Sequence, residues 1–462
     1  MATPWDQHTP SSLAALQDQL VAVQIRDSIA PFSPLWRRRF AELNRRPALI
    51  RTVSALESIP AMGERDVSPN GDPAAMAALV LQAGEAGFAL HAAGPELRQA
   101  IRMRAMRKHT YQRVVDADTR ATSYVFSGTG MRYPIASTRA DLDAITRAGA
   151  RVWAVLGLTR NDVLVSAVEP SATTEHLALQ YAALGAGAPA LFPGGHPDDL
   201  AATVRLAPPT VLALPTHDAV ALLDGLQGLE SLRTLLLVGA PSDAERMAAM
   251  HAAARVGVPN DAAVLSVHAP AGARVLWGEC RQSGGKTGFH TYPDLDVVQV
   301  VDPDTGEHVT GSGELVLTQI GLRGSALLRW RTGDVVAGIS SSPCPSCGRV
   351  VPRVEGLQRD ALVTGIGADG EAIDLRAVAS ALSGRQDVRD WRIVVGRRGR
   401  DGAPRVVVRL VPVGGDAAGV VIGAAADIRA LAGLLPTQIV VTDSYELASL
   451  RGHKRSERIL VE

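Results

Sequence analysis

The chain has 462 residues, and its 47 basic residues balance 47 acidic ones. With 46% hydrophobic and 20% charged residues, it is excluded from the disordered and collagen-like classes, and the missing basic excess argues against a nucleic-acid partner. At roughly 100–200 residues per domain, two to four domains or subdomains with an ample core are expected.

The first residues, Met1 to His8, lack the basic and apolar regions of a secretory signal. No stretch approaches the roughly 18 apolar residues that would span a bilayer, so no membrane partner is expected. Residues 1–115 read as largely helical, with apolar residues at helical spacing from Trp36 to Leu43 and from Ala74 to Leu90. From Ala121 to Val275, short apolar runs (163–165, 190–192, 210–214 and 235–238) alternate with amphipathic stretches. That texture predicts βα units on a mainly parallel buried sheet. Val297–Val301 and Glu314–Thr318, joined through Asp302-Pro303-Asp304-Thr305-Gly306, predict a β-hairpin. Asp294 and Asp296 beside it are expected in solvent.

A boundary is expected near Gly356, dividing residues 1–356 from a small α+β domain at 357–462. Its predicted elements are a helix at 375–382, strands at 392–395 and 405–411, a helix at 424–435 and a strand at 438–442. The Gly- and Ala-rich stretch 413–423 reads as a loop, and Arg397–Arg400 as a solvated hairpin tip.

Three segments carry chemistry. Ser127-Gly128-Thr129-Gly130 follows a β-like run and precedes a helix from Leu142 onward. Small residues there let backbone N–H groups approach phosphate oxygens, and an ordinary turn is the alternative. Thr332-Gly333-Asp334 would offer a carboxylate to a ribose diol, or an Arg–Asp surface pair. Cys344-Pro345-Ser346-Cys347 is a knuckle of the kind that presents two thiolates to zinc, with a reduced or transient thiol pair as the alternative. The remaining cysteine is Cys280. So sparse and odd a set is no disulfide framework and fits a reducing cytoplasm. Only Lys108, Lys286 and Lys454 are lysines, leaving 44 arginines, so each retained ammonium draws attention.

Glu314–Thr318 followed by Leu327-Leu328-Arg329-Trp330-Arg331-Thr332-Gly333-Asp334 resembles the adenylate-forming (acyl-CoA ligase) superfamily, and within it the phenylacetate–CoA ligase branch. Ser33–Phe40, Gln180–Gly195, Leu214–His217, Gly239–Pro241, Gly288–His290, Asp302–Gly306 and Cys347–Arg353 match in the same order, over nearly the whole chain. The resemblance implies an α/β fold, with a large adenylate-forming N-terminal domain and a small mobile α+β C-terminal domain. It also implies that a small acid, aromatic acids included, is activated with ATP and Mg²⁺ to an acyl-AMP, which passes to CoA or another nucleophile.

By the same resemblance, Ser127, Gly128, Thr129 and Gly130 would cradle phosphates. Gly239, Ala240, Pro241 and Asp334 would hold the nucleoside, and Lys454 would be the catalytic lysine, with a solvated basic tail as its alternative. His176, Tyr181, His217 and His268 would line the substrate pocket. Gly288-Phe289-His290 brings Cys280 and His290 toward the knuckle, so Cys280, His290, Cys344 and Cys347 would form a structural zinc site. Three departures from the family pattern stand out. One threonine is missing from the phosphate loop, no acid occurs in Ser266–Gly272, and Gly356-Leu357 replaces a Gly-Arg hinge. They leave two rivals open: adenylation of an unusual acid or oxyanion with a non-CoA acceptor in specialised biosynthesis, and a non-catalytic homologue that binds a nucleotide, adenylate or partner. A homodimer is expected on base rates alone.

Overall fold

The structure, a computed structural model, describes residues 5–68, 72–82, 117, 119–127, 133–170, 173–284, 287–358, 362–363, 373–383, 385, 387–396, 405–414, 416–432, 436–443 and 459–461. Helix α1 (Pro10–Gln24) starts at Thr9, which forms a reciprocal capping box with Ser12, and α2 (Pro34–Glu42) starts at Ser33. Both place proline in the first helical turn, where its missing N–H is not needed. The helix expected at 74–90 is instead a 3₁₀ turn, Pro73–Leu79, followed by a bridge from Val80 to Ser325. Residues 83–90 lie outside the described set.

Strands β1 (Ala121–Ser127) and β2 (Tyr133–Thr138) form an antiparallel pair. Helix α3 (Arg139–Val155) then begins at a Thr138/Asp141 capping box, three residues before the sequence expectation. The alternating region folds as β3 (Leu164–Ser166), α4 (Thr174–Ala186), β4 (Ala190–Leu191), α5 (Pro197–Leu206), β5 (Val211–Pro215), β6 (Thr234–Val238), α6 (Asp243–Arg255) and β7 (Ala263–His268). Strands β8 (Trp277–Glu279) and β9 (Phe289–His290) follow, then β10 (Asp296–Val301), β11 (Gly313–Gln319), β12 (Trp330–Val336), β13 (Gly338–Ser340) and β14 (Arg353–Glu355).

The large sheet runs β13-β14-β9-β8-β7-β6-β5-β3-β4. Its β4, β3, β5, β6 and β7 are mutually parallel, while β8, β9, β14 and β13 join antiparallel. The sheet is thus mixed, parallel where βα units build it. Side chains alternate between two cores. Val211, Ala213 and Leu236 pack with Ile145, Val152 and Leu179 of α3 and α4, whereas Leu212, Leu214 and Leu235 face Leu200 of α5 and Ala249 of α6.

The expected hairpin is present as β10 and β11, in register from Val297 opposite Thr318 to Val301 opposite Glu314. With β12 it makes a second sheet. Val297 and Trp330 of that sheet bury against Trp36, Phe40 and Ile59 of the N-terminal helical region. Asp296 is not solvated: it is 1% exposed and accepts a hydrogen bond from Trp277 Nε1 at 3.2 Å. Asp294 pairs with Arg151 at 2.6 Å.

Beyond residue 358, β15 (Leu362–Val363) pairs with β16 (Ile373–Asp374). Next come α7 (Arg376–Ser383), β17 (Val388–Gly396), β18 (Arg405–Pro412), α8 (Ala417–Ala432), β19 (Gln438–Val441) and β20 (Ile459–Val461). Their sheet, ordered β19-β18-β17-β20, shares a separate core with the helices, including Leu375, Leu382, Ile393, Val408 and Ile428. The expected loop at 413–423 is helical from Ala417 because Asp416 Oδ1 accepts from Gly419 N–H and alanine favours helix. Arg397–Arg400 lies outside the described residues. No helix among the described residues is long and apolar enough to cross a membrane.

Candidate active site and cysteine–histidine cluster

In an open α/β sheet, ligands meet the carboxyl ends of the parallel strands. Here β3 is followed in the chain by the first turn of α4, β5 by Thr216-His217, β6 by Gly239-Ala240-Pro241, and β7, ending at His268, by the segment 269–273. Hydrogen bonds tie these strand ends to one another, and the end of β7 with the segment after it takes most of them. Ser127 Oγ accepts from Gly272 N–H at 2.8 Å. Thr174 Oγ1 donates to Ala273 O at 2.9 Å. Gly239 N–H donates to Val267 O at 2.8 Å. Thr216 donates through its N–H (3.1 Å) and its hydroxyl (3.2 Å) to Val238 O. Gln319 Nε2 donates to Gly272 O at 2.6 Å, tying the second sheet to the same segment.

His268 Nε2 lies 2.9 Å from Asp334 Oδ2, joining the end of β7 to β12. Asp334 is therefore no surface ion-pair partner: it is 1% exposed. Gly239 has φ +125°, a conformation that glycine reaches without Cβ strain and that lets the chain turn sharply off β6.

The remaining sequence candidates fall around this edge. His176, in the first turn of α4, is buried edge-on against Phe192 with centroids 5.2 Å apart. Burial lowers its pKa, so the ring is neutral at pH 7, and Nδ1 has no hydrogen-bond partner among the described residues. His217 Nε2 lies 3.0 Å from Asp218 Oδ2. Tyr181 stands seven residues along α4 from Thr174, about 10 Å at 1.5 Å per residue, and packs on the core between helices and sheet. Gly128, Thr129, Gly130 and Lys454 lie outside the described residues.

Several polar side chains that support this edge carried no sequence signal. Arg274 is 3% exposed, and its guanidinium donates to Ala136 O (2.7 Å), Asp141 (3.0 Å) and Gln319 (2.9 Å). Asp141 also accepts from Arg323 and Gly324 N–H, both at 2.7 Å. Glu279 accepts from Ser266 N–H and Arg246, both at 2.7 Å, and burial nonetheless pushes its carboxyl pKa up. Tyr133 OH accepts from Trp330 Nε1 at 2.7 Å. The Thr138-x-x-Asp141 spacing is a capping-box pattern and could have placed the start of α3.

A second cluster lies at the antiparallel side of the large sheet. Cys280 follows β8, His290 ends β9, and the Cys344–Cys347 turn lies between β13 and β14. Register brings them together, since His290 pairs with Gly278 on one side and Arg353 on the other. Gly288 is required for the approach: at φ +78°, a Cβ there would strike the Val354 carbonyl. The four ligand atoms of Cys280, His290, Cys344 and Cys347 lie within 4.8 Å of one another. Cys280 and Cys344 sulfurs are 3.9 Å apart, and Cys347 Sγ is 3.3 Å from His290 Nε2.

Burial, then the Arg353 and Arg349 charges, hold the His290 pKa near about 4, leaving a neutral ring. Burial would raise the Cys344 thiol, but the N–H groups of Cys347 and Ser346 and the Thr287 hydroxyl bring it to about 7. The N-terminal segment docks alongside: Gln7 bridges to Val350, Val350 N–H donates to Asp6 O at 2.9 Å, Arg349 pairs with Asp6 at 3.2 Å, and Trp5 packs on Tyr292 and beneath Arg151.

No family model and no curated protein matches this sequence. Solved structures do. A 2-hydroxyisobutyryl-CoA ligase in its postadenylation state, with an acyl-AMP bound, matches at TM-score 0.66 and 17% identity over 99% of this chain and 91% of that one. The same ligase in its thioesterification state, with 2-HIB-AMP and CoA, matches at TM-score 0.59 and 18% identity over the same shares. ATP-bound MatB from Rhodopseudomonas palustris matches at TM-score 0.50 and 18% identity, over 71% of this chain and 65% of that one. At these identities the likeness speaks for fold. The chain therefore has the fold of the adenylate-forming ligases, a large α/β domain followed by a smaller C-terminal one.

Proposed function

We propose that this protein is an adenylate-forming ligase of the phenylacetate–CoA ligase kind, acting in the cytoplasm and divided near residue 356 into its two domains. In this reading a small carboxylic acid, aromatic or hydroxylated, attacks the α-phosphorus of ATP. Pyrophosphate leaves, and the acyl-AMP passes to CoA or another nucleophile. One observation carries the reading: Ser127, Gly239, Thr174 and Asp334, from four separate segments, all bond to residues 267–273 at the carboxyl edge of the parallel sheet. Fixed donors and carboxylates there suit a reaction whose charge builds on phosphoryl oxygens. Ser127–Gly130 would face the phosphates, Asp334 the ribose, and Lys454 the oxygens that gain charge. His176, with its orphan buried Nδ1 beside Phe192, would line the acid pocket.

The metals divide. The residues suit structural zinc: tetrahedral bonds of about 2.3 Å to sulfur and 2.0–2.1 Å to nitrogen give ligand–ligand edges close to the 3.9 and 3.3 Å observed. Four protein ligands would close the site and pin β8, β9 and the 344–347 turn, with no catalytic part. A Mg²⁺-binding acid, by contrast, has no residue in Ser266–Gly272, and Glu279 is committed to Arg246 and Ser266. That missing acid favours a second reading, adenylate binding without turnover.

The test is acid-dependent trapping. The protein is incubated with ATP, Mg²⁺, hydroxylamine and single acids, and hydroxamate and pyrophosphate are measured without CoA. Matching amounts of both, abolished by Asp334→Ala, are expected. A raised melting midpoint with ATP but no hydroxamate from any acid would select the second reading, and neither signal would sink both.

A further inference from the structure

His268 and Asp334 are 2% and 1% exposed, lie 66 residues apart, and belong to different sheets. Burying an imidazole and a carboxylate is unfavourable unless each finds a hydrogen bond, and their 2.9 Å contact supplies one. The Asp334 main chain is fixed separately. Its N–H donates to Thr332 Oγ1 at 3.2 Å, and that hydroxyl donates to Leu315 O at 2.9 Å. The neighbouring Gly333 N–H donates to Glu314 Oε1 at 3.2 Å, and Glu314 is in turn paired with Arg331. These bonds hold the backbone of β12. The contact from β7 holds the carboxylate itself.

We propose that His268 is a positioning residue for the nucleotide. Through Nε2 it clamps Oδ2 of Asp334 and so sets the direction in which the carboxylate meets the ribose diol. This rests on the adenylate-forming reading, in which Asp334 faces the ribose. The rest of the 266–272 segment lacks the family's acid, so this contact gives it a different part in holding ATP. A bystander histidine would pack and nothing more. A positioning histidine makes the ribose hydroxyls and residue 268 energetically coupled, and such coupling is what a cycle of paired changes measures.

The experiment compares ATP with 3′-deoxy-ATP on wild type, His268→Leu and His268→Gln, reading affinity by calorimetry and folding by circular dichroism. Glutamine places a donor near the position of Nε2, and leucine places none. Expected is a tenfold or greater loss of ATP affinity in His268→Leu, less than threefold loss for 3′-deoxy-ATP, and recovery of most of the ATP affinity in His268→Gln. Equal losses for both nucleotides, or no recovery with glutamine, would reduce His268 to packing and overturn the proposal. If His268→Leu fails to fold, His268→Asn replaces it, because its shorter amide cannot reach Oδ2. Equal ATP affinity in the Asn and Gln variants then overturns the proposal. No binding of either nucleotide to wild type at millimolar concentration sinks the adenylate-forming reading, and the proposal with it.

Discussion

The carboxyl edge around residues 267–273 and the cysteine–histidine cluster around Cys344 solve the same problem in opposite ways. Each gathers remote segments. At the edge, the side chains and backbone groups pair with one another: His268 with Asp334, Ser127 with Gly272, Thr174 with Ala273. In the cluster, three sulfurs and an imidazole converge on one point, and their sulfur contacts at 3.3–3.9 Å are weak hydrogen bonds at best. Groups that satisfy each other hold their geometry without a ligand, whereas groups that only converge gain most from a shared partner.

The largest expected effect breaks the cluster. Purified protein should carry one zinc per chain by mass spectrometry. Because structural zinc contributes about 10–16 kcal/mol in small domains, stripping it with a strong chelator, or Cys344→Ser, should lower the melting midpoint by about 10 °C. An unchanged midpoint with no bound metal would leave the cysteines as a reduced thiol group.

The edge should break through its supports. Arg274→Ala leaves Asp141 buried with its guanidinium partner gone, which should cost about 3–5 kcal/mol in urea unfolding. A loss below about 1 kcal/mol would show that the N–H groups of Arg323 and Gly324 suffice for Asp141.

Asp296, buried at the start of β10 and bonded to Trp277 of β8, titrates. Its pKa is raised to about 7, chiefly by burial, above the usual carboxyl value near 4. The folded chain therefore keeps a proton that the unfolded chain releases, and stability falls as pH rises from about 4 to about 7, by up to about 1.4 kcal/mol per pH unit. Asp296→Asn should remove that part of the slope and be the more stable protein at pH 8. Parallel stability curves for the two proteins would refute it.

The smallest effect is Ser127→Ala. It orphans Gly272 N–H and should cost about 1–3 kcal/mol, with a weaker ATP-induced shift in melting midpoint. Loss of stability alone would confine Ser127 to a structural part.

Legibility followed chemistry. Cys280, Cys344 and Cys347 stood out because the chain has only three cysteines, two of them in a Cys-x-x-Cys turn, and His290 through the family block around Gly288. The β10–β11 hairpin was legible from alternation around an Asp-Pro-Asp-Thr-Gly turn, and the parallel strands from short apolar runs. Asp296 reads as solvated because of its charge, and nothing local announces that it is buried and bonded to Trp277. Residues 413–423 read as a loop because their glycines mask a helix that Asp416 caps. His268 was visible as a pocket candidate, but its tie to Asp334 was not.

The sequence by itself determined the alternation that builds a parallel sheet, the capping and turn residues that start and stop its elements, and the residue types able to bind phosphate, ribose and zinc. These are local properties, written in spacing and side-chain chemistry. Only tertiary structure decided which of those residues meet. Strand order and register bring Cys280 to Cys344 across 64 residues and Ser127 to Gly272 across 145, and such pairings follow from burying two faces of a sheet at once, a condition no single stretch of sequence contains.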